Sequence, residues 1–404
     1  MRIRTPSSVG VKGPLASYAA GFITELRARG YTEVSACHKL HLFAQLSHWL
    51  ERMSLEPTEL TDAEVCRFLR TRRQAAPTGR WTERAAGPML GYLRRLGVVP
   101  EPEVVPPEGL SEQLLERYRD YLVRERGLVA TTVVRYLDVA RSFLKGRTSP
   151  EGLDLASLGG ADVTGFVLRE SRVLGVGSAK NMVSGLRSLL RFLYAQGEAP
   201  ALAEAVPTVA GWRGASLPRA LDPTGVARLL ASCDRRTRVG RRDHAVLTLL
   251  VRLGLRAGEV AALELDDVDW RRGELVVRGK GDRHERLPLP VDVGEAMSAY
   301  LLDGRPPGGC RRLFLRARAP FDVWLTPGGV KGIVSRACAR AEVSPAGAHR
   351  LRHTAATELL RSGASLAEVA QVLRHRSLAT SAIYAKVDRA ALRELARPWP
   401  GGAA

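Results

Sequence analysis

Lysine is scarce in this chain. Only Lys12, Lys39, Lys145, Lys180, Lys280, Lys331 and Lys386 occur among 61 basic residues, leaving 54 arginines. No single arginine is informative against that background, whereas a retained lysine is. Cysteine is sparse as well. Cys37, Cys66, Cys233, Cys310 and Cys338 are far apart and form no C-x-x-C pair. That spacing excludes a disulfide framework or an ordinary zinc site and suits thiols in a reducing compartment. No apolar run approaches the ~20 residues of a membrane span. The opening Met-Arg-Ile-Arg-Thr-Pro-Ser-Ser lacks the apolar core of a secretory signal. The expectation is a cytoplasmic, nucleoid-associated bacterial protein with no membrane partner. Acidic residues are the last shortage: 42 face 61 basic ones, for a net charge of +19. A field of that sign favours a polyanion, because neutralising phosphates releases counterions.

The 404 residues suit two or three domains. An internal repeat fills the first half. Arg29-Gly30 and Arg126-Gly127 each precede a helical run, through Leu40, Leu42, Phe43, Leu46, Trp49 and Leu50 in one copy, and through Val133, Leu137, Val139, Phe143 and Leu144 in the other. Val65 and Phe68 answer to Val163 and Phe166, and Leu90-Gly91-Tyr92-Leu93 with Gly97 to Leu190-Arg191-Phe192-Leu193 with Gly197. Apolar spacing of i, i+3, i+4 predicts about four amphipathic helices per copy, with Thr32, Thr61 and Thr131 as N-caps. Prolines 100, 102, 106 and 107 and the loose stretch from Pro200 to Pro218 mark boundaries. The expected domains are 1–105, 106–206 and 207–404. In the last, 224–233, 243–254, 351–362, 365–373 and 377–385 read as helices. Residues 274–278 and 284–289 read as two strands around Gly279-Lys280-Gly281-Asp282.

Four blocks follow in the last third: Gly-Leu-Arg-Ala-Gly-Glu at 254–259, Gly-Lys-Gly at 279–281, His-Arg-Leu-Arg-His at 349–353, then His375 with Tyr384 nine positions later. Arginines grip a phosphate in fork geometry, His and Lys move protons, and a tyrosine can form a covalent phosphate ester. Together they predict phosphoryl transfer on a nucleic-acid backbone, with no metal and no cofactor. No Asp/Glu/His run has metal-site spacing.

These blocks resemble the tyrosine recombinase (phage integrase) family, over roughly 109–390. The strongest parts are 254–259 and His-Arg-Leu-Arg-His-Thr at 349–354. The ending Leu-Arg-His-Arg-Ser…Thr-Ser-Ala-Ile-Tyr at 373–384 is nearly as strong. The resemblance implies a mainly α fold: two helical-bundle, SAM-like DNA-binding domains, then a mostly helical catalytic domain with one small antiparallel sheet. It implies a site-specific recombinase that cuts and rejoins double-stranded DNA through a 3′-phosphotyrosyl link. The assembly would be a homotetramer on two DNA sites, with accessory recombinases or DNA-bending proteins as further partners. The extra N-terminal copy looks like the long integrases of mobile elements, which points to integration or transposition.

The implied catalytic residues are Arg256 and Arg352 as phosphate clamps, His349 as proton acceptor, Lys280 as proton donor to the 5′ oxygen, His375 on a phosphate oxygen and Tyr384 as nucleophile. Glu259 would brace Arg256. His353, next to Arg352, reads as structural and turned elsewhere. Thr131, Arg135, Lys180 and Arg187 are candidate DNA contacts. Arg374 departs from the pattern, since the family usually has glycine before the second histidine. Two rivals remain at this level. A type IB topoisomerase shares the chemistry but works as a monomer. An accessory DNA-binding protein without catalysis should show a gap in the set, and none is seen.

Overall fold

The computed structural model describes residues 6, 9–75, 82–102, 109–145, 147–149, 152–210, 220–279, 284–374 and 378–385. It divides into two compact units, Glu103–Ala215 and the remainder, Met1–Pro102 with Ser216–Ala404.

The N-terminal segment holds α1 (Ala19–Ala28), α2 (Glu33–Met53), α3 (Asp62–Ala75) and α4 (Glu83–Arg95). Thr32 caps α2 by accepting from the Ser35 amide, and Thr61 accepts from Glu64 at the start of α3. One apolar stripe of α2, with Leu40, Phe43, Leu46 and Leu50 fully buried, forms one side of this core. Phe22 stacks on Phe43 at 4.9 Å.

The unit Glu103–Ala215 repeats the plan with α5 (Leu110–Asp120, continued by one π-helical turn over Tyr121–Glu125), α6 (Ala130–Leu144), α7 (Gly160–Ser171) and α8 (Val176–Ala195). A minimal ladder, β1 (Thr148–Ser149) with β2 (Gly152–Leu153), lies between α6 and α7. The repeat shows in the backbone. Gly97 and Gly197 follow α4 and α8 at φ +68° and +71°. The next amides close equivalent bonds, Val98 to the Leu93 carbonyl and Glu198 to the Leu193 carbonyl. A left-handed residue just past a helix is the position glycine fills without strain. Thr131 is a correction: the cap of α6 is Val129, whose side chain makes no capping bond, and Thr131 lies inside the first turn. The early start is satisfied by the Thr132 amide bonding the Val129 carbonyl.

The C-terminal segment holds α9 (Pro223–Ala231), α10 (Arg238–Arg252), α11 (Ala257–Ala262), β3 (Val268–Asp269), β4 (Glu274–Arg278), β5 (His284–Pro288), α12 (Val291–Asp303), α13 (Pro327–Arg340), α14 (Ala348–Arg361), α15 (Leu366–Val372) and α16 (Leu378–Ala385). The expected mostly helical fold with a small antiparallel sheet is observed. The sheet has three strands in the order β3-β4-β5, with Val276 opposite Arg286. The third strand, β3, is only two residues long, too short for alternation to reveal. Helix α10 is buried through the middle of a large core that spans α9 to α14. A smaller cluster, Ala356, Val369, Leu373 and Tyr384, joins α14, α15 and α16. Leu315 bridges to Trp324, and Phe321 of the intervening loop meets the N-terminal segment. Its amide donates to the Arg29 carbonyl at 3.1 Å, and Arg29 pairs with Asp322 at 3.2 Å.

Among the described residues, no helix is long and apolar enough to cross a membrane, and no group of three His, Cys, Asp or Glu side chains is placed to hold a metal ion.

Candidate active site

Arg256 is set by a helix break. Helix α10 ends at Arg252, α11 begins at Ala257, and Arg256 is the extended N-cap between them. Glu259, in the first turn of α11, reaches back. One of its oxygens accepts from the Arg256 amide at 2.8 Å and the other from the Arg256 guanidinium at 2.5 Å. This reciprocal arrangement satisfies a helix-start amide and fixes the arginine backbone. The Arg256 side chain is 47% exposed and its partner Glu259 6%, so the cation reaches solvent while the anion does not.

Arg352 on α14 is 2% exposed. Its Nη1 donates to the Gly254 carbonyl at 2.6 Å, and its Nη2 to the Leu373 carbonyl. One fork therefore ties the segment before Arg256 to the end of α15. Burial, followed by the charge of Arg256, pushes the Arg352 pKa down to about 10, which leaves it cationic at neutral pH.

Tyr384 on α16 is 1% exposed, within the cluster of Ala356, Val369 and Leu373. Its hydroxyl lies 2.9 Å from Nδ1 of His353. Burial raises the phenol pKa, and the charge of Arg352 opposes this. The structure thus corrects the reading of His353 as turned elsewhere. His349 and His353 are four apart on α14, hence on one face, and their rings meet edge to face at 4.4 Å. The i, i+4 spacing was the signal in the sequence, and adjacency to Arg352 masked it. Burial, then His349 and Arg352, holds His353 down to about 4. The ring is neutral at pH 7, so its unprotonated nitrogen can accept a hydrogen bond from the phenol. His349 keeps solvent access, and its pKa is lowered by desolvation first and then by Arg352 and Arg256.

The departure at Arg374 has a definite place. It follows α15 with φ +55°, the left-handed region that favours glycine. Its buried guanidinium donates to Glu259 at 2.8 Å and to the Val372 carbonyl at 3.2 Å. The backbone demand that glycine would meet is present, but an arginine meets it.

Arg256, Glu259, His349, Arg352, His353, Arg374 and Tyr384 are therefore linked through direct contacts or through mutual charge effects. Lys280 and His375 lie outside the described residues, although strands β4 and β5 on either side of Lys280 are described. Of the candidate DNA contacts, Thr131 and Arg135 are exposed one turn apart on α6 and Lys180 is half-buried on α8. Arg187 is half-buried, and one arm of its guanidinium donates to the Val206 carbonyl at 2.7 Å, bracing its own unit.

Comparison with known proteins identifies the family and the fold. The phage integrase family matches residues 219–391, and its N-terminal SAM-like domain matches 115–197. A Sinorhizobium fredii protein named as an integrase/recombinase is 42% identical over 97% of this chain and 96% of its own length. Tyrosine recombinase XerD of Mycobacterium tuberculosis is 34% identical over 71% of this chain and 96% of its own. The fold is similar to XerH recombinase bound to a palindromic difH substrate, with TM-score 0.55, 20% identity, and coverage of 72% of this chain and 97% of that one. It is also similar to a lambda integrase tetramer bound to a Holliday junction, with TM-score 0.51, 19% identity, and coverage of 65% and 76%. By these matches and the sequence motifs, the chain belongs to the phage integrase family of tyrosine recombinases, enzymes of site-specific recombination that cleave and rejoin DNA.

Proposed function

We propose that this chain cuts double-stranded DNA with Tyr384, for the integration or transposition of a mobile element. The observation that carries the assignment of the nucleophile is the Tyr384 hydroxyl seated on the neutral His353 ring, beside the buried cation of Arg352. The phenol oxygen attacks phosphorus, its proton passes to an imidazole, and the P–O5′ bond breaks as the P–O bond to tyrosine forms. Lys280 supplies a proton to the departing 5′ oxygen, and His375 donates to a phosphate oxygen. Arg256 and Arg352 spread the charge of the pentacoordinate state. The products are a 3′-phosphotyrosyl ester and a free 5′ hydroxyl. Attack by another 5′ hydroxyl reverses the step and rejoins the strand, so the ester conserves the bond energy.

The 2.9 Å contact favours His353 over His349 as the acceptor of the phenol proton. Tyr384 and Arg352 are both packed away from solvent, so the packing around them must open for a phosphate to reach them. The unit Glu103–Ala215 grips the DNA backbone, with Thr131, Arg135 and Lys180 as contacts. Residues 1–105 aid binding or assembly, and 207–404 carry the chemistry. Tetramer formation on two DNA sites is supported by the likeness to the lambda integrase tetramer. The role in a mobile element is supported by the integrase/recombinase relative, which matches nearly the whole chain.

The test is Tyr384→Phe on a suicide substrate nicked beside the cleavage site. The variant is expected to bind DNA as the wild type does and to give no covalent adduct on a denaturing gel. A surviving adduct would place the nucleophile elsewhere.

A further inference from the structure

Glu259 serves two arginines at once. Its Oε1 holds the Arg256 guanidinium at 2.5 Å, while its Oε2 accepts from the Arg256 amide and from Arg374 Nη2, both at 2.8 Å. The two cations differ in freedom: the Arg256 side chain is 47% exposed, that of Arg374 3%. If Arg256 is to grip a scissile phosphate with Nη1 in its fork, that nitrogen must give up its bond to this carboxylate. A buried carboxylate left without a counter-ion is strongly unfavourable, and Glu259 would then compete with DNA for Arg256. Arg374 is placed to remove that conflict.

We propose that Arg374 is a positioning residue that keeps Glu259 neutralised, so that Arg256 is released to the DNA phosphate. This rests on Arg256 being a phosphate clamp. Three observations support it. Burial pushes the Glu259 carboxyl up, yet it stays below its usual range, with the charge of Arg374 the largest opposing cause, ahead of the Arg256 bonds. Arg374 occupies a left-handed backbone position at φ +55°, a strained site for a side chain. Its Nε has no hydrogen-bond partner among the described residues and faces Glu285 of β5 at 4.0 Å. The residue is therefore not a satisfied turn position. Its bond to Glu259 and its approach to Glu285 together bring the end of α15, α11 and strand β5 to one place.

The test is single-turnover cleavage of the nicked substrate by Arg374→Gly, Glu259→Gln and the double variant. Glycine fits the backbone and removes the whole side chain, buried methylenes as well as guanidinium. Arg374→Gly is expected to cleave on the order of 10- to 100-fold more slowly, with DNA affinity little changed, because one phosphate contact among many is affected. In the Glu259→Gln background no anion retains Arg256, so adding Arg374→Gly should cost almost nothing more. Should Arg374→Gly lose its cooperative melt, Arg374→Lys and Arg374→Gln replace it. The lysine should restore most of the rate and the neutral glutamine should not. A wild-type rate in Arg374→Gly, a slow rate undiminished by Glu259→Gln, or equal rates for Lys and Gln would each overturn the proposal. Arg256→Ala separates the two layers. If it cleaves normally, the clamp reading fails; if it is inactive while Arg374→Gly is normal, only the role of Arg374 fails.

Discussion

The hydroxyl of Tyr384 and Nδ1 of His353 are 2.9 Å apart, and His353 packs in turn against His349. In the proposed mechanism a neutral imidazole there takes the phenol proton as the oxygen attacks. His353→Phe keeps an aromatic ring and removes the acceptor. Adduct formation is expected to slow on the order of 10²-fold, the lower range for a lost proton-transfer group. Stopped-time assays on the nicked substrate decide it. A wild-type rate in His353→Phe together with an inactive His349→Phe returns the acceptor role to His349.

The same histidine predicts a pH dependence of stability. In the fold its pKa lies at about 4, against roughly 6.5 for a free imidazole. The unfolded chain therefore binds a proton over a range where the folded chain does not. The stabilisation is fully present above about pH 6.5 and is lost as pH falls through about 4, on the order of 2–3 kcal/mol at most, because the ring is only partly buried. The lowered pKa of His349 acts in the same direction. Urea melts across this window should show His353→Phe losing less stability on acidification than the wild type. Equal slopes would mean that His353 is not held neutral.

Much of this organisation was legible in the sequence, and the exceptions have physical reasons. The stripe of Leu40, Phe43, Leu46 and Leu50 has helical spacing and forms one side of a core. Strand β4 begins and ends where Glu274 to Arg278 alternate. Arg256 and Glu259 could be paired on spacing because a helix start brings the N-cap and third residue together. Long-range pairings have no such local signature. The Arg352 fork onto the Gly254 and Leu373 carbonyls joins residues 98 and 21 positions apart. Arg374 on Glu259 spans 115. Arg187 looked like a DNA contact by its position in a helix, and only the folded chain shows the Val206 carbonyl that it meets.

Arg352→Lys tests the fork. An ammonium cannot reach two carbonyls in the planar, two-pronged geometry of a guanidinium. Losing one charged hydrogen bond in a buried place is expected to cost about 1.5–3 kcal/mol, read as a lower urea midpoint. If Arg352 is the second phosphate clamp, cleavage should fall on the order of 10²–10³-fold. A variant of wild-type stability would show that the carbonyl contacts contribute little, and one of wild-type rate would remove Arg352 from the chemistry.

Gly30 and Gly127 form a built-in comparison. Both sit at positive φ, +79° and +56°, so alanine is strained at either one, by roughly 1–2 kcal/mol. At Gly127 a Cβ meets nothing within 4 Å, whereas at Gly30 it would run into the Phe321 ring. Gly30→Ala is therefore expected to destabilise by about 1–3 kcal/mol more than Gly127→Ala, in the range of an overpacked contact. Thermal melts of the two variants give the difference. Equal losses would mean that the Phe321 loop yields at no cost.

Lys280 is the last and sharpest case. It is one of seven lysines and stands between Gly279 and Gly281, outside the described residues but between strands β4 and β5, which are described. A lysine can give up a proton where an arginine, with its pKa above ~12, hardly can. As the acid for the departing 5′ oxygen, its loss in Lys280→Ala should slow cleavage on the order of 10²–10⁴-fold. DNA affinity should change little, since one phosphate contact among many is lost. Replacing the bridging 5′ oxygen by sulfur supplies a leaving group that needs no proton. Lys280→Ala should then approach the wild-type rate on the sulfur substrate, while Arg256→Ala stays slow on both, because charge still builds on the phosphate. If sulfur fails to rescue Lys280→Ala, the lysine acts as a positive clamp or a turn residue, and His349, exposed beside both arginines, becomes the next donor to test.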